Sequence, residues 1–502
     1  MSLKLVCISD LHLGAKDSLL SNFDVTGRPV NQAGLVAATF AEALRATVAA
    51  ISPNERVRLV LLGDALDLGL SPMGYVSQNL LNLLNVLFPS AKEGDTAPFA
   101  GDIFYIPGNH DHHVWRVAQD EQYVSLIEQN PPDLKKNILQ VSPITREPSI
   151  DCRLVTALMQ QLPALHGSHC RVTYPNWAIC DPDRKRAVVL HHGHYLDQTY
   201  MALSRFAQWL GLANDPTSAK NIERCNGPWV DFLWSDLGSA GRIGKTADTL
   251  YDTMMDGAAS HEFAESLSTR ICGFMASSLG MRADSRLRYN LTPEKLIRAG
   301  VDFTLGRTAQ SQRDGYRNVL SRSMIAGLRW YLANPVARQF RDEFGNVGQD
   351  GKPIGDGKVP EEISFIFGHT HKPFQDQIMV PPYSAPSRIY NTGGWVLDEP
   401  TLMPCQGAAA MLVDDELNVA SMRLFNDVTN GVIAPVTAEG IGRHADKANP
   451  LVANARDAIQ ANMKLWSAFS NAACAAIEVL AKHRVHKRIN EMAVQRHEDM
   501  IA

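Results

Sequence analysis

Short apolar runs that end abruptly in Asp, His, Asn or Gly recur along this chain. Leu3–Ser9 is one such run and closes in Asp10-Leu-His12-Leu-Gly14. Residues 35–51 (LVAATFAEALRATVAAI) carry apolar positions at helical spacing. Val57–Leu62 is a second apolar run and leads into Gly63-Asp64-Ala-Leu-Asp67. Residues 74–88 read as a helix, and Ile103–Ile106 is a third strand that leads into Pro-Gly108-Asn109-His110-Asp111-His112-His113. Strand, polar loop and helix in alternation predict an α/β sheet with crossover connections.

Two further strands are expected at 170–180 and 186–192, the second ending in His191-His192-Gly193-His194. The alternation then stops. From 196 to about 345 the pattern is mainly helical, with breaks expected near Gly227–Pro228, Gly238–Gly244, Gly280 and Pro293. Residues 346–362 form a Gly/Pro/Asp-rich return loop. Ile363–Phe367 is again a strand and runs into Gly368-His369-Thr370-His371. Strands near 375–380, 387–391, 408–413 and 417–425 complete the sheet. After Pro450 the chain has neither Gly nor Pro, and two helices folded back on the core are expected there rather than one rod. The organisation read from this is a core over 1–195, a helical insertion over 196–362, the rest of the core over 363–430 and a helical C-terminal extension over 431–502.

Length and composition narrow the class. At 502 residues, 45% apolar and 20% charged, the chain is globular and long enough for roughly three domain-sized units. Its net charge of −5 announces no general nucleic-acid binder. The eight cysteines are scattered without a C-x-x-C pair, as buried apolar residues would be. No apolar run is long enough to span a membrane. The first residues enter a strand at once, so a cytosolic, reduced protein is expected.

The chemistry sits in five motifs, each after a strand: Asp10-x-His12, Gly63-Asp64-x-x-Asp67, Gly108-Asn109-His110-Asp111, His192-Gly193 and Gly368-His369-Thr370-His371. Loops at the carboxyl ends of strands converge on one place in α/β sheets. Carboxylate, amide and imidazole donors suit Mn²⁺, Fe or Zn²⁺. Asp10/His12 and His369/His371 are i, i+2 pairs, which project to one side of an extended backbone.

This set, in this order, resembles the calcineurin-like metallophosphoesterases. The resemblance implies a four-layer αββα sandwich with a large helical insertion and a helical tail. It implies two divalent metal ions, Mn²⁺ favoured and Fe or Zn²⁺ alternatives. Asp10, His12, Asp64 and His371 would hold the first, and Asp64, Asn109, His192 and His369 the second. Hydroxide between them would attack phosphorus. His110 would serve the leaving oxygen and Asp67 would orient His110, although an Asp at position 67 also suits a helix cap. His191 is expected in the core. His194 is expected beside the substrate or behind the ligands, and His112 and His113 as substrate contacts or exposed loop residues. Asn391-Thr392-Gly393-Gly394 is expected as a structural turn near the site.

Departures matter too. Ser/Thr phosphatases of the superfamily carry Arg after the second Asp of the GD motif and Glu in GNHE; here Leu68 and Asp111 stand there. SDLHLG is also similar to UDP-2,3-diacylglucosamine pyrophosphatases, which carry Arg where His110 stands and are shorter. Within the insertion, residues 215–265 hold 9 acidic against 4 basic side chains, and 270–341 hold 13 basic against 4 acidic. The Arg-rich half is interleaved with aromatics, which suits phosphate recognition as well as a solvated helical face. Trp229 and Trp234 are expected against the core rather than along an open groove. KHRVHKR at 482–488 reads as a wet helix face more than an acidic-partner site. The expected activity is hydrolysis of a phosphorylated anionic substrate: a small or lipid-linked phosphodiester, pyrophosphate or phosphomonoester. The alternatives are a nuclease gripping nucleic acid with the insertion, and a non-enzymatic interaction scaffold.

Overall fold

The computed structural model describes residues 2–69, 71–90, 98–129, 139–196, 217–231, 320–345, 357–397, 406–426, 434–442 and 449–501. The first half runs β1 (Leu3–Ile8), α1 (Leu35–Ile51), β2 (Val57–Leu61), α2 (Met73–Leu87), β3 (Phe99–Tyr105), α3 (His112–Gln129), β4 (Ile150–Asp151), α4 (Arg153–Met159), β5 (Cys170–Val172), β6 (Asn176–Cys180) and β7 (Arg186–His191). Three insertion helices follow: α5 (Ala219–Val230), α6 (Arg322–Tyr331) and α7 (Ala337–Phe344). The chain then adds β8 (Glu362–Phe367), β9 (Phe374–Ile378), β10 (Ser387–Asn391), β11 (Gly407–Asp414), β12 (Val419–Asn426) and β13 (Thr437–Glu439). It ends in α8 (Pro450–Ala461) and α9 (Met463–Ile501).

Two sheets result. One has the order β13-β12-β11-β1-β2-β3-β5-β4 and the other β6-β7-β8-β10-β9. Alternation along each strand splits its side chains between two cores. Leu5, Cys7, Val60, Leu62, Phe104 and Ile106 of the first sheet meet Trp177, Val188, Leu190 and Ile366 of the second. Their neighbours Val6, Ile8, Leu59, Leu61, Ile103, Val189 and Phe365 face the other way, into the helix-covered core. These strands are apolar on both faces because both faces are covered. Fully burying such a side chain is worth about 1.5–3 kcal/mol, so the layers are held mainly by apolar contact. The two sheets between helices form the expected α/β sandwich.

Several elements coincide with their predicted spans, α1 and β10 among them. The single strand expected over 170–180 is instead two strands in different sheets. The chain crosses between sheets at Thr173–Pro175, where Pro175 has no N–H for a ladder. The break expected at Gly227–Pro228 also differs, since both residues lie inside α5. Pro228 has no N–H to give the Arg224 carbonyl, so the helix runs through it with one rung of its ladder missing.

The insertion's described helices are rooted on the core. Tyr331 donates its hydroxyl to Asn176 Oδ1 at 3.1 Å, and Tyr383 donates to the Leu332 carbonyl at 2.9 Å. Glu343 accepts from the Ile144 and Thr145 amides. The expected breaks at Gly238–Gly244, Gly280 and Pro293, the side chain of Trp229, Trp234 and the Arg-rich stretch up to Arg317 lie outside the described residues. The tail is two helices, as expected. Trp466 and Phe469 of α9 are buried, and Trp466 Nε1 donates to Thr47 Oγ1 of α1 at 2.9 Å. The 482–488 cluster lies in α9, where Lys482 and Val485 are exposed. Among the described residues, no helix is long and apolar enough to cross a membrane.

Candidate metal centre

Strands β1, β2 and β3 run parallel and adjacent, and so do β7, β8 and β10 in the other sheet. Their carboxyl ends therefore open on one edge of the sandwich. Asp10 follows β1, Asp64 follows β2, Asn109 follows β3, His192 follows β7 and His369 follows β8. All of these are buried except His369, which is half-buried, as is His371 two residues on.

The loops are bound to each other through backbone groups. Asp10 N–H donates to the Gly63 carbonyl at 3.0 Å, and His12 N–H to that of Asp64 at 2.8 Å. Gly368 N–H donates to the His192 carbonyl at 2.7 Å, and His369 N–H to Asp10 Oδ1 at 2.8 Å. Asp10, His12, Asp64, His369 and His371 all hold left-handed backbone, with φ of 52°, 45°, 47°, 71° and 54°. Non-glycine residues pay about 1–3 kcal/mol for such strain, and it gathers at functional sites. Asp and His are among the side chains that tolerate it best. Gly108 leaves no alternative residue: a Cβ there would lie 2.3 Å from Asp64 Oδ1 and 2.7 Å from His192 Cδ2.

Two ligand-like groups form. Asp10, His12 and His371 bring donor atoms within 4.8 Å of one another, and so do Asp64, His192 and His369. Asp64 lies between them. Its Oδ2 is 3.1 Å from His192 Nε2 and 3.9 Å from His12 Nε2, while its Oδ1 accepts from His110 N–H at 2.8 Å. Asn109 completes the second group, with Oδ1 3.2 Å from His192 Nε2.

The donor chemistry fits a cation. His192 Nδ1 lies 3.1 Å from the Leu62 carbonyl, an acceptor that fixes the proton on Nδ1. The Nε2 lone pair of that tautomer then faces two oxygens, Asp64 Oδ2 and Asn109 Oδ1, an arrangement that demands positive charge between them. Without an ion a proton serves instead: burial opposes charging His192, but the Asp64 and Asp10 carboxylates outweigh it and push the imidazole up to about 9. Burial also pushes Asp64 up, yet the surrounding imidazoles of His192 and His110 win and hold it well below the usual carboxylate range. Burial raises Asp10. Burial and the neighbouring His192 push His369 down to about 3, leaving it the neutral imidazole a metal requires.

His12, Asp67 and His110 also bring donor atoms within the same span. Here, however, His110 Nδ1 and Asp67 Oδ1 are 2.8 Å apart, a hydrogen bond that needs no ion. Burial opposes a proton on His110, but Asp64 and Asp67 overcome it and raise its pKa. Asp67 also accepts from Ser71 Oγ at 3.2 Å.

The structure therefore brings together every residue the motifs singled out. His191 is buried against Tyr331 at 4.7 Å between ring centres, in the core as expected. His194 is buried with Nε2 3.0 Å from the Tyr174 hydroxyl, behind the ligands. His112 contradicts both expectations for it: it is fully buried at the start of α3, with Nε2 3.1 Å from Glu223 Oε1 and Nδ1 3.3 Å from Asp231 Oδ1. Those carboxylates come from α5 and the residue that ends it, more than a hundred residues away, which no local pattern reveals. His113 is half-buried. Asn391 forms the expected turn, donating to the Gly368 carbonyl at 2.9 Å and accepting from Gly393 N–H at 2.8 Å.

Sequence reasoning missed two supports. Asp111 accepts from the amides of Ala65 (2.8 Å), Leu66 (3.2 Å) and Gly108 (2.6 Å) and from the Tyr105 hydroxyl, binding the second and third loops together. Ser9 bridges Asp10 Oδ2 and Thr392. Asp111 stood inside a recognised motif and could have been read as its anchor; Ser9 carried no signal. Residues 3–233 match the family described as calcineurin-like phosphoesterase. No curated protein matches the chain.

Proposed function

We propose, from the match of residues 3–233 to the calcineurin-like phosphoesterase family, that the chain is a dinuclear metal-dependent hydrolase of P–O bonds. The substrate we infer is a small or lipid-linked phosphodiester, pyrophosphate or phosphomonoester. One observation carries the reading: Asp64 Oδ2 faces His12 of one ligand group and His192 of the other. Asp10, His12, Asp64 and His371 would hold the first ion, and Asp64, Asn109, His192 and His369 the second. Oxygen and imidazole donors favour Mn²⁺, with Fe or Zn²⁺ as alternatives. Two bound cations would supply Lewis-acid charge for phosphoryl oxygens and lower the pKa of a water.

The chain's own residues do the rest. His110 gives Nδ1 to Asp67 and, when protonated, carries its second proton on Nε2. That proton is the one to be delivered to the leaving oxygen. Asp67 fixes the ring's tautomer and orientation. Ser9 and the His369 amide hold the two oxygens of Asp10. The complete donor set argues against a non-enzymatic scaffold. The location we propose is cytoplasmic. The test is hydrolysis of bis(p-nitrophenyl) phosphate beside p-nitrophenyl phosphate by metal-stripped chain reloaded with Mn²⁺. Turnover that requires the metal supports the reading, and the preferred reagent separates diester from monoester chemistry. Two bound ions without turnover of either would move the search to pyrophosphate and lipid-linked substrates; no bound metal and no turnover would sink the enzyme.

A further inference from the structure

We propose that Glu223, a buried residue of the insertion, is a positioning residue that fixes the two loops carrying Asn109 and His192, and so the second cation of the proposed pair. This rests on the dinuclear reading above. Glu223 is 2% exposed. Its Oε1 lies 3.1 Å from His112 Nε2, and His112 begins α3 three residues after Asn109. Its Oε2 accepts from the Tyr195 hydroxyl at 2.6 Å, and Tyr195 stands three residues after His192. One carboxylate thus grips both loops at the same distance along the chain from their ligands.

The grip is reinforced. Tyr174 donates to the Tyr195 hydroxyl at 2.9 Å, and Asp231 Oδ1 takes the other ring nitrogen of His112 at 3.3 Å. Gly227, one turn beyond Glu223, leaves the room: a Cβ there would fall 2.4 Å from Glu223 Oε1. Docking α5 by itself would not call for a buried carboxylate, because apolar residues of similar volume usually serve as well or better. A charged staple between two site loops gains orientation instead, as carboxylates behind metal-bound groups do.

The experiment is Mn²⁺ titration of the metal-stripped full chain by calorimetry, with Glu223→Ala, Glu223→Gln and Tyr195→Phe beside wild type. Thermal unfolding of each metal-free variant controls for folding. In Glu223→Ala one Mn²⁺ equivalent is expected to weaken about 10–100-fold while the other keeps its affinity. Glu223→Gln, which retains hydrogen-bonding atoms, should recover part of the loss. Wild-type affinity for both ions in a folded Glu223→Ala, or equal weakening of both, overturns the inference and leaves the dinuclear reading standing. Should Glu223→Ala fail to fold, Tyr195→Phe removes one hydroxyl and must show the same selective weakening in smaller measure. Unchanged affinities there, or unfolding of both variants, make Glu223 purely structural. Fewer than two Mn²⁺ in wild type would overturn the dinuclear reading itself and this inference with it.

Discussion

His110 and Asp67 form a buried pair, with Nδ1 2.8 Å from Oδ1 at the edge of the ligand cluster. Removing the carboxylate leaves the ring in place without its orienting partner. Asp67→Asn should lower kcat by about 10–100-fold. If His110 protonates the leaving oxygen, the loss must grow as the leaving alcohol becomes a poorer leaving group. A series of aryl and alkyl esters measured with wild type and variant checks this. An equal loss across the series would remove His110 from that role.

Gly108 sits where the third loop passes under Asp64 and His192. The Cβ of Gly108→Ala would meet Asp64 Oδ1 at 2.3 Å and the Asp64 amide nitrogen at 2.8 Å. Asp64 must shift, so metal binding should suffer more than folding. Overpacking of this kind costs about 1–3 kcal/mol. Urea unfolding together with Mn²⁺ uptake separates the two effects.

Asp111 satisfies three buried amides and a tyrosine hydroxyl. Asp111→Ala leaves these donors without an acceptor, at about 1–3 kcal/mol for each buried group. A loss of at least about 3 kcal/mol in metal-free unfolding is expected, well beyond a surface substitution.

His112 gives folding a pH dependence. Burial opposes its charge, but Glu223 and Asp231 outweigh burial and lift its pKa from 6.5 to about 9. A pKa raised in the folded state adds stability that is fully present below about pH 6.5, declines above it and is gone above about pH 9. The contribution is on the order of 3 kcal/mol. The urea midpoint of the metal-free chain should fall across that window, and the fall should be smaller by the His112 share in His112→Asn, with His192 and His110 supplying the remainder.

The core strands and the candidate ligand motifs were legible because the apolar runs of β1, β2, β3, β7 and β8 lead into the residues of the candidate site. The span of α1 followed from its helical apolar spacing. Three things were hidden for a common reason, that their partners are distant in sequence. The change of sheet at Thr173–Pro175 depends on which strand each half pairs with. The burial of His112 depends on Glu223 and Asp231. The left-handed backbone at five candidate ligand positions depends on hydrogen bonds between loops, such as His12 N–H to the Asp64 carbonyl. Helix α3 was missed because its apolar positions mark no clear stripe.

The central claim is that Asp64 serves two cations at once. Turnover of bis(p-nitrophenyl) phosphate or p-nitrophenyl phosphate should be followed against bound Mn²⁺ per chain, for wild type and Asp64→Asn. The account predicts that activity rises only as the second equivalent binds, and that Asp64→Asn, still folded, loses it. Full turnover with one ion or none, or an Asp64→Asn chain as active as wild type, would contradict it.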